Sequence, residues 1–233
     1  MKKSEIIKFL ILRTVGNFLV LFAVFGILAT FGPAFYYEIS FRITEARGIK
    51  YVVDSSKTNS IQNSSSQSTG VDNFAQVLSG PREQVIVPKS TQFSIIIPKI
   101  GASAKVFPNV DPSNSNDFLP ILMQGVAHAK GTVFPGMKGN IYLFAHSTDN
   151  FWDVGRYNAV FYLLKDLKPG DDIIVFYENI RYNYVVKESK IVAPSDISYI
   201  VNAQKQNKEQ LILQTCWPPG TTLQRLLVFA EPK

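Results

Sequence analysis

The sequence predicts an all-β domain, a barrel or a sandwich with only short helices, preceded by one transmembrane helix. Two observations lead to this prediction. The first is a stretch without any charged side chain, residues 14–37, close to the N-terminus. The second is a change of composition after Val85, where short apolar runs alternate with Gly, Pro, Asn and Asp. Such spacing is typical of proteins built from many short strands.

The uncharged stretch, residues 14–37, is long enough to cross a membrane. As a helix it would measure about 36 Å, against ~30 Å for the hydrocarbon core of a bilayer. No small-residue cleavage site follows it. Residues 1–13 carry four basic side chains and one acid, which favours a cytoplasmic N-terminus. We therefore expect a single-pass cell-membrane protein, with residues 1–13 cytoplasmic and the chain extracellular from residue 38 onward.

The residues after the anchor differ in composition from the rest of the chain. Residues 55–70 contain seven serines and hardly any apolar side chain. Such a segment cannot bury enough surface to offset its chain entropy. We expect residues 38–84 to form an extracellular juxtamembrane segment and flexible tether. Residues 85–233 are numerous enough for one domain with a sizeable core.

The strands expected in this domain are short apolar runs bounded by turn-forming residues. They are residues 93–97, 141–145, 173–177, 182–186, 211–216 and 226–230. Residues 162–164 and 197–204 are the expected helical pieces.

Composition argues against several classes of function. The net charge of +6 comes partly from the N-terminus, and no long basic run is interleaved with aromatic residues, so nucleic-acid binding has little support. One cysteine and two histidines provide no metal-ligand spacing. The chain also has no Gly-rich phosphate loop. We expect no nucleic-acid partner, no metal and no cofactor.

Cys216 is the only cysteine of the chain, and it ends the run 211–216. Arg225 comes nine positions later, just before the run 226–230, and a hairpin of these two strands would bring thiol and guanidinium together. A neighbouring cation favours the nucleophilic thiolate. Outside the membrane, an unpaired cysteine either forms an intermolecular disulfide or is a reactive thiol. The alternative is a buried cysteine that acts as a small hydrophobe.

Two histidines are candidates for an acid–base partner of the thiol. His146 follows the run 141–145, where a strand delivers a side chain to a barrel rim, whereas His128 lies in a loop-like stretch, residues 125–132. Cysteine, histidine and arginine together suit acyl transfer: the thiolate attacks a carbonyl, the histidine protonates the leaving amine, and a cation or N–H groups hold the oxyanion. We assign the histidine role to His146, because strand ends hold side chains more rigidly than loops do.

These motifs resemble the sortases, the membrane-anchored cysteine transpeptidases of bacterial cell surfaces. The T-L-x-T-C strand of that family reads I-L-Q-T-C at residues 212–216, and Arg225 matches the arginine of its next strand. Residues 139–146 resemble its strand that begins with Gly-Asn and closes with histidine. Residues 93–101 look like its first barrel strand, and residues 125–136 like its G-x-x-H-x-x-G-T-x-x-P-G segment.

Two positions depart from the family pattern. Ile212 replaces the usual first Thr of the motif, and Ala145 stands where Gly commonly precedes the histidine. Neither change removes a catalytic group, so the departures bear on the subclass rather than on the activity.

The resemblance implies a closed, sortase-like β-barrel with a specific chemistry. Cys216 would attack the carbonyl of Thr in an LPxTG-like sorting signal at the C-terminus of a surface protein. An amine of a cell-wall precursor or of a pilin Lys would then resolve the thioester, as in surface anchoring or pilus assembly. His146 would be the acid and base, and Arg225 would hold substrate or oxyanion.

The resemblance also implies substrate contacts. Thr215 would touch the substrate, and the segment 193–210 would cover the Leu and Pro of the signal with Ile197 and Ile200. Two alternatives stay open. One is a surface cysteine peptidase, in which water resolves the thioester. The other is a membrane-tethered binding module without activity.

Overall fold

The structure, a computed structural model, describes residues 3–53, 83–147 and 160–233. It divides into two compact units, Met1–Ile43 and Thr44–Lys233. The Ser-rich segment that we expect to be a tether, residues 55–70, lies outside the described residues.

Helix α1, Lys3–Ala46, contains a segment that is long and apolar enough to cross a membrane, Ser4–Leu28. None of that segment is buried inside the structure. The anchor predicted at residues 14–37 lies within α1. The helix continues past the predicted span, and Arg42 forms an ion pair of 3.1 Å with Glu38 one turn earlier, an arrangement that supports helix.

In the described part of the second unit, eight strands close into a barrel in the order β10-β8-β7-β3-β4-β5-β6-β9. This confirms the predicted all-β fold and its closed barrel. The strands of the described residues are β1 Lys50–Val53, β2 Glu83–Ile86, β3 Phe93–Ile97, β4 Ala102–Val110, β5 Val126–Ala129, β6 Gly139–Phe144, β7 Asp172–Tyr177, β8 Ile180–Val192, β9 Glu209–Trp217 and β10 Gln224–Pro232. The short helices are α2 Ser115–Leu122 and α3 Ser198–Val201, with 3-10 turns at Pro98–Ile100, Tyr162–Asp166 and Ala203–Lys205.

Every predicted strand and both predicted helical pieces are present, with longer bounds in most cases. The elements that were not predicted are the strands β1, β2, β4 and β5, helix α2 and the 3-10 turn Pro98–Ile100. The loop-like reading of residues 125–132 was wrong, because Val126–Ala129 forms β5, a buried strand between β4 and β6. A four-residue strand with both faces buried leaves no alternating pattern to read.

Side chains of β6 and β9 alternate between the barrel interior and a second cluster on its outer surface. Leu143 and Leu213 belong to the interior, whereas Tyr142 and Ile212 belong to the outer cluster. We call this outer surface of β6, β9 and β10 the outer wall. Helix α2 packs on it through Phe118, whose ring meets Phe144 edge-on at 6.2 Å. Because both faces are covered, these strands read as continuous apolar runs.

The strands β1 and β2 pair in parallel. They pack on the side of the barrel opposite the outer wall. Val53 lies against Ile96 of β3 and Ile174 of β7. In the closed order of eight strands in the described barrel, β3 lies halfway round from β9, and β7 lies halfway round from β6. The segment predicted as juxtamembrane and tether, residues 38–84, contains β1 before its Ser-rich part and the first two residues of β2 after it.

Candidate active site

Strand register brings the three predicted catalytic residues to one edge of the outer wall. Antiparallel pairing sets Arg225 of β10 directly opposite Cys216 of β9. On the other side, parallel pairing sets Phe144 of β6 opposite Gln214, and continuing that register by two residues places His146 beside Cys216. Directly opposite residues share one face of a sheet. The half-buried thiol of Cys216 therefore lies between a histidine and an arginine.

The residue before His146 is held to the cysteine strand through both of its backbone polar groups. The Ala145 N–H donates to the carbonyl of Gln214 at 3.2 Å. The Thr215 hydroxyl donates to the Ala145 carbonyl at 3.2 Å. Thr215 is 2% exposed, so its hydroxyl lies inside the barrel wall. The two residues that precede Cys216, Gln214 and Thr215, thus hold the backbone that carries His146.

The residue after His146 is held as well. Ser147 is buried, and its hydroxyl accepts a hydrogen bond from the Gly220 N–H at 3.4 Å. Gly220 belongs to the turn between β9 and β10. His146 is therefore bracketed by contacts to the strand and the turn that also hold Cys216 and Arg225.

The Arg225 guanidinium uses part of its bonding capacity on its own turn. Its Nη1 donates to the carbonyls of Thr222 and Gln224, each at 3.1 Å. A guanidinium has five N–H donors, and the other three have no hydrogen-bond partner among the described residues. Arg225 is half-exposed, so part of its side chain is accessible from outside the barrel.

A buried tyrosine and a glutamine lie beside the candidate catalytic residues, and no sequence motif pointed to them. The Tyr142 hydroxyl donates to Gln214 Oε1 at 2.7 Å. Burial raises the pKa of the Tyr142 phenol, and the Arg225 charge offsets this only in part. The phenol therefore remains a hydrogen-bond donor.

A model of the sortase domain matches residues 95–233, which is more than half of the chain. The chain belongs to the sortase family. It is 30% identical to sortase D of Bacillus subtilis (strain 168) over 149 residues, covering 62% of this chain and 66% of that protein. The match thus spans just under two thirds of the relative's length.

Two solved structures of sortases are similar to this one. Sortase C-1 from Actinomyces oris is 26% identical with a TM-score of 0.51, covering 60% of this chain and 73% of the other. The pilus-related sortase C of Group B Streptococcus is 25% identical with a TM-score of 0.50, covering 61% of this chain and 66% of the other.

The two isoleucines predicted to bind substrate lie in different surroundings at α3 of this sortase. Ile200 packs against the outer-wall cluster, whereas Ile197 is 58% exposed. Helix α3 is fixed to the start of β6, where Asn140 Nδ2 donates to the Tyr199 carbonyl at 3.0 Å. Gly139 permits the close approach of the 3-10 turn that follows α3, because a Cβ there would lie 2.7 Å from the Ala203 carbonyl oxygen.

The second histidine of the sortase domain lies apart from Cys216. His128 pairs with Leu143 in the β5–β6 register, so it faces the barrel interior, where it is buried. Its Nε2 lies 3.0 Å from the Val133 carbonyl oxygen, and its ring stacks on Phe134 with centroids 4.5 Å apart. Burial lowers the pKa of His128. These contacts describe a structural histidine within the core.

The described residues contain no group of three or more His, Cys, Asp or Glu side chains that could hold a metal ion. The strand register and the hydrogen bonds define a candidate site of Cys216, His146 and Arg225, with Thr215, Gln214 and Tyr142 around them.

Proposed function

We propose that this sortase is a membrane-anchored cysteine transpeptidase that cleaves an LPxTG-like sorting signal after its Thr. The observation that carries the proposal is the register that sets Arg225 opposite Cys216 and continues to His146 on the other side. Sortases as a family are cysteine transpeptidases, and this arrangement supplies the three functions that acyl transfer requires.

The reaction proceeds in two balanced steps. In the first, the Cys216 sulfur forms a bond to the Thr carbonyl carbon, the peptide bond to the next residue breaks, and His146 gives a proton to the departing amine. In the second, an incoming amine attacks the thioester, His146 takes a proton from that amine, and the thiolate leaves. Water in place of the amine would give hydrolysis, which is the peptidase alternative.

Arg225 acts on the substrate carbonyl in this scheme. Two of its N–H groups are bonded to Thr222 and Gln224, which fixes the guanidinium while the others remain for an oxygen. A fixed donor costs little reorganisation when charge develops on that oxygen.

Thr215 has a positioning role in this proposal rather than the substrate contact that we expected from the resemblance. Its side chain is buried, and its hydroxyl is donated to the Ala145 carbonyl. Ile200 of α3 and Ile197, which directly precedes α3, are proposed to cover the apolar Leu and Pro of the signal. Ile197 suits that role because it is an exposed apolar side chain.

The proposed partners are surface proteins with a C-terminal sorting signal and an amine, either of a cell-wall precursor or of a pilin Lys. The pilin acceptor draws support from the structural similarity to a pilus-related sortase. The apolar segment of α1 supports a membrane anchor, and the basic side chains of residues 1–13 favour a cytoplasmic N-terminus. The barrel would then be extracellular.

The test uses the full-length protein in detergent and a peptide that contains Leu-Pro-x-Thr-Gly. With an added amine nucleophile, mass spectrometry should detect a product joined through the Thr carbonyl. Without the amine, a thioester on Cys216 should be detectable after acid quenching. Cys216→Ala should abolish both species. Release of free Thr carboxylate alone, whatever the amine concentration, would establish the peptidase instead.

A further inference from the structure

We propose that Gln214 determines specificity by donating a hydrogen bond to an acceptor of the sorting peptide, just upstream of the scissile carbonyl. In this proposal Tyr142 sets the orientation of the Gln214 amide. The inference deepens the proposed function, on which it rests for the identity of the ligand as a sorting peptide.

Gln214 lies on the same face of β9 as Cys216. It lies two residues before Cys216 on β9, and residues two apart on a strand share one face at a spacing of about 7 Å. Its register partners are Phe144 and Leu227, which both belong to the outer-wall cluster. The half-buried Gln214 side chain is thus the polar group in an apolar floor next to the thiol.

The hydrogen bond to Tyr142 fixes which end of the amide faces outward. Tyr142 is 2% exposed, and the hydrogen of its hydroxyl is donated to Gln214 Oε1 at 2.7 Å. A flipped amide would remove that acceptor and leave a buried hydroxyl hydrogen unpaired, which is costly. Nε2 therefore points away from Tyr142, and it has no partner among the described residues.

An outward amide N–H next to the reacting carbonyl selects for a hydrogen-bond acceptor. A peptide that covers Gln214 removes water from Nε2, so a peptide without an acceptor there leaves the N–H group unpaired. The expected discrimination is about tenfold. The acceptor is either a main-chain carbonyl near the scissile bond or a side-chain carbonyl or carboxylate at the variable position x of the signal.

The experiment compares substitutions of two glutamines on one strand in the full-length protein. Gln214→Met removes the N–H donor at nearly constant volume. Gln210→Met is the matched control, because Gln210 lies on the same face of β9 four residues farther from the site. The peptides are Leu-Pro-x-Thr-Gly with x as Gln, Glu, Met or Leu. We expect a loss of about tenfold in kcat/KM for Gln214→Met and less than twofold for Gln210→Met.

The two sources of the acceptor give different patterns. A side-chain acceptor predicts that Gln214→Met loses activity only with x as Gln or Glu, so that all four peptides become equal. A main-chain acceptor predicts the same loss with every peptide. With a side-chain acceptor, Tyr142→Phe should reduce the difference in kcat/KM among the peptides, and Gln214→Glu should disfavour peptides with x as Glu. With a main-chain acceptor, Tyr142→Phe should lower kcat/KM for every peptide alike. Equal kcat/KM for Gln214→Met and Gln210→Met with all four peptides would overturn the proposal.

Binding separates this inference from the proposed function. The same peptides are titrated into the Cys216→Ala protein with and without Gln214→Met. Weaker binding with Gln214→Met, in the absence of turnover by the wild-type protein, would uphold the inference and refute the transpeptidase. Turnover by the wild type with no effect of Gln214→Met on binding or kcat/KM would refute the inference alone.

Discussion

The hydroxyl of Thr215 is the structural link between the cysteine strand and the histidine, and its removal should slow catalysis more than it weakens the fold. Thr215→Val replaces the hydroxyl by a methyl of similar size. It removes the 3.2 Å bond to the Ala145 carbonyl, and no other described group donates to that carbonyl oxygen. Ala145 is buried, so water cannot readily replace the lost donor.

The magnitudes follow from this geometry. A buried carbonyl left without a donor costs about 1–3 kcal/mol of folding free energy. The backbone before His146 then keeps only the Ala145 N–H bond to Gln214 and can rotate. A displacement on the order of 1 Å at a catalytic group costs up to ~10²-fold in rate. We expect kcat/KM to fall by ~10- to 100-fold.

Thr215→Ser is the matched variant. It keeps the hydroxyl and loses one buried methyl, which costs about 1 kcal/mol. Both variants should therefore lose similar stability in thermal unfolding, while only Thr215→Val should lose transpeptidation and show an altered pH–rate profile. If the two variants lose activity in proportion to their melting temperatures, the hydroxyl is merely structural and the positioning argument fails.

Three further predictions concern the histidines and the arginine. His146→Ala should lose at least ~10²-fold in turnover with an unchanged melting temperature, whereas His128→Ala should lower the melting temperature; the reverse pattern would exchange their roles. Arg225→Lys should retain little activity, because an ammonium lacks the planar fork that bonds Thr222, Gln224 and substrate together; near-normal turnover would indicate a simple point charge. Stability should fall as the pH drops below about 6.5, since the lowered pKa of buried His128 means that the unfolded chain binds that proton first. Urea unfolding at pH 7.5 and 5 measures this loss, and His128→Gln should reduce it by up to ~1.4 kcal/mol per pH unit.

Local pattern was sufficient for the strands that are continuous apolar runs. Residues 93–97 form β3 with the predicted bounds, and β7 and β8 follow from two apolar runs separated by a break at Glu178-Asn179. In the structure both residues of this two-residue connection have positive φ, as in the tight turns of β-hairpins. The strand β4 was missed because Ala102–Val110 includes Ser, Lys, Asn and Pro. Helix α2 was missed because it contains Pro120, which argues against a helix interior.

The segment between the anchor and the barrel shows what composition alone cannot reveal. Its low apolar content predicts a tether, and the Ser-rich part lies outside the described residues. Yet β1, Lys50–Val53, comes before that part and β2, Glu83–Ile86, comes after it. Two four-residue strands give no local signal, because their stability comes from pairing with each other and from packing on Ile96 and Ile174.

The pairing of Cys216 with Arg225 could be predicted from local sequence, whereas the pairing of Cys216 with His146 could not. Cys216 and Arg225 are nine residues apart, so a hairpin brings them together and the local pattern is enough to pair them. His146 and Cys216 are joined by a parallel pairing of strands that are distant in sequence, and the register of such a pairing is set by packing on both faces. Here Leu143 meets Leu213 on the inside.

The same register depends on the outside face as well. A slip of one residue would turn every side chain of β6 to the other face: Tyr142 would enter the interior with its hydroxyl unpaired, and His146 would leave the face of Cys216. The hydrogen bond of Tyr142 to Gln214 therefore opposes the very slip that would separate histidine from thiol. Tyr142→Phe and Thr215→Val each remove one register contact, the first on the outer face and the second on the inner face. The double variant should thus lose more activity, expressed in kcal/mol, than the sum of the two single losses. Additive losses would show that the two contacts act independently.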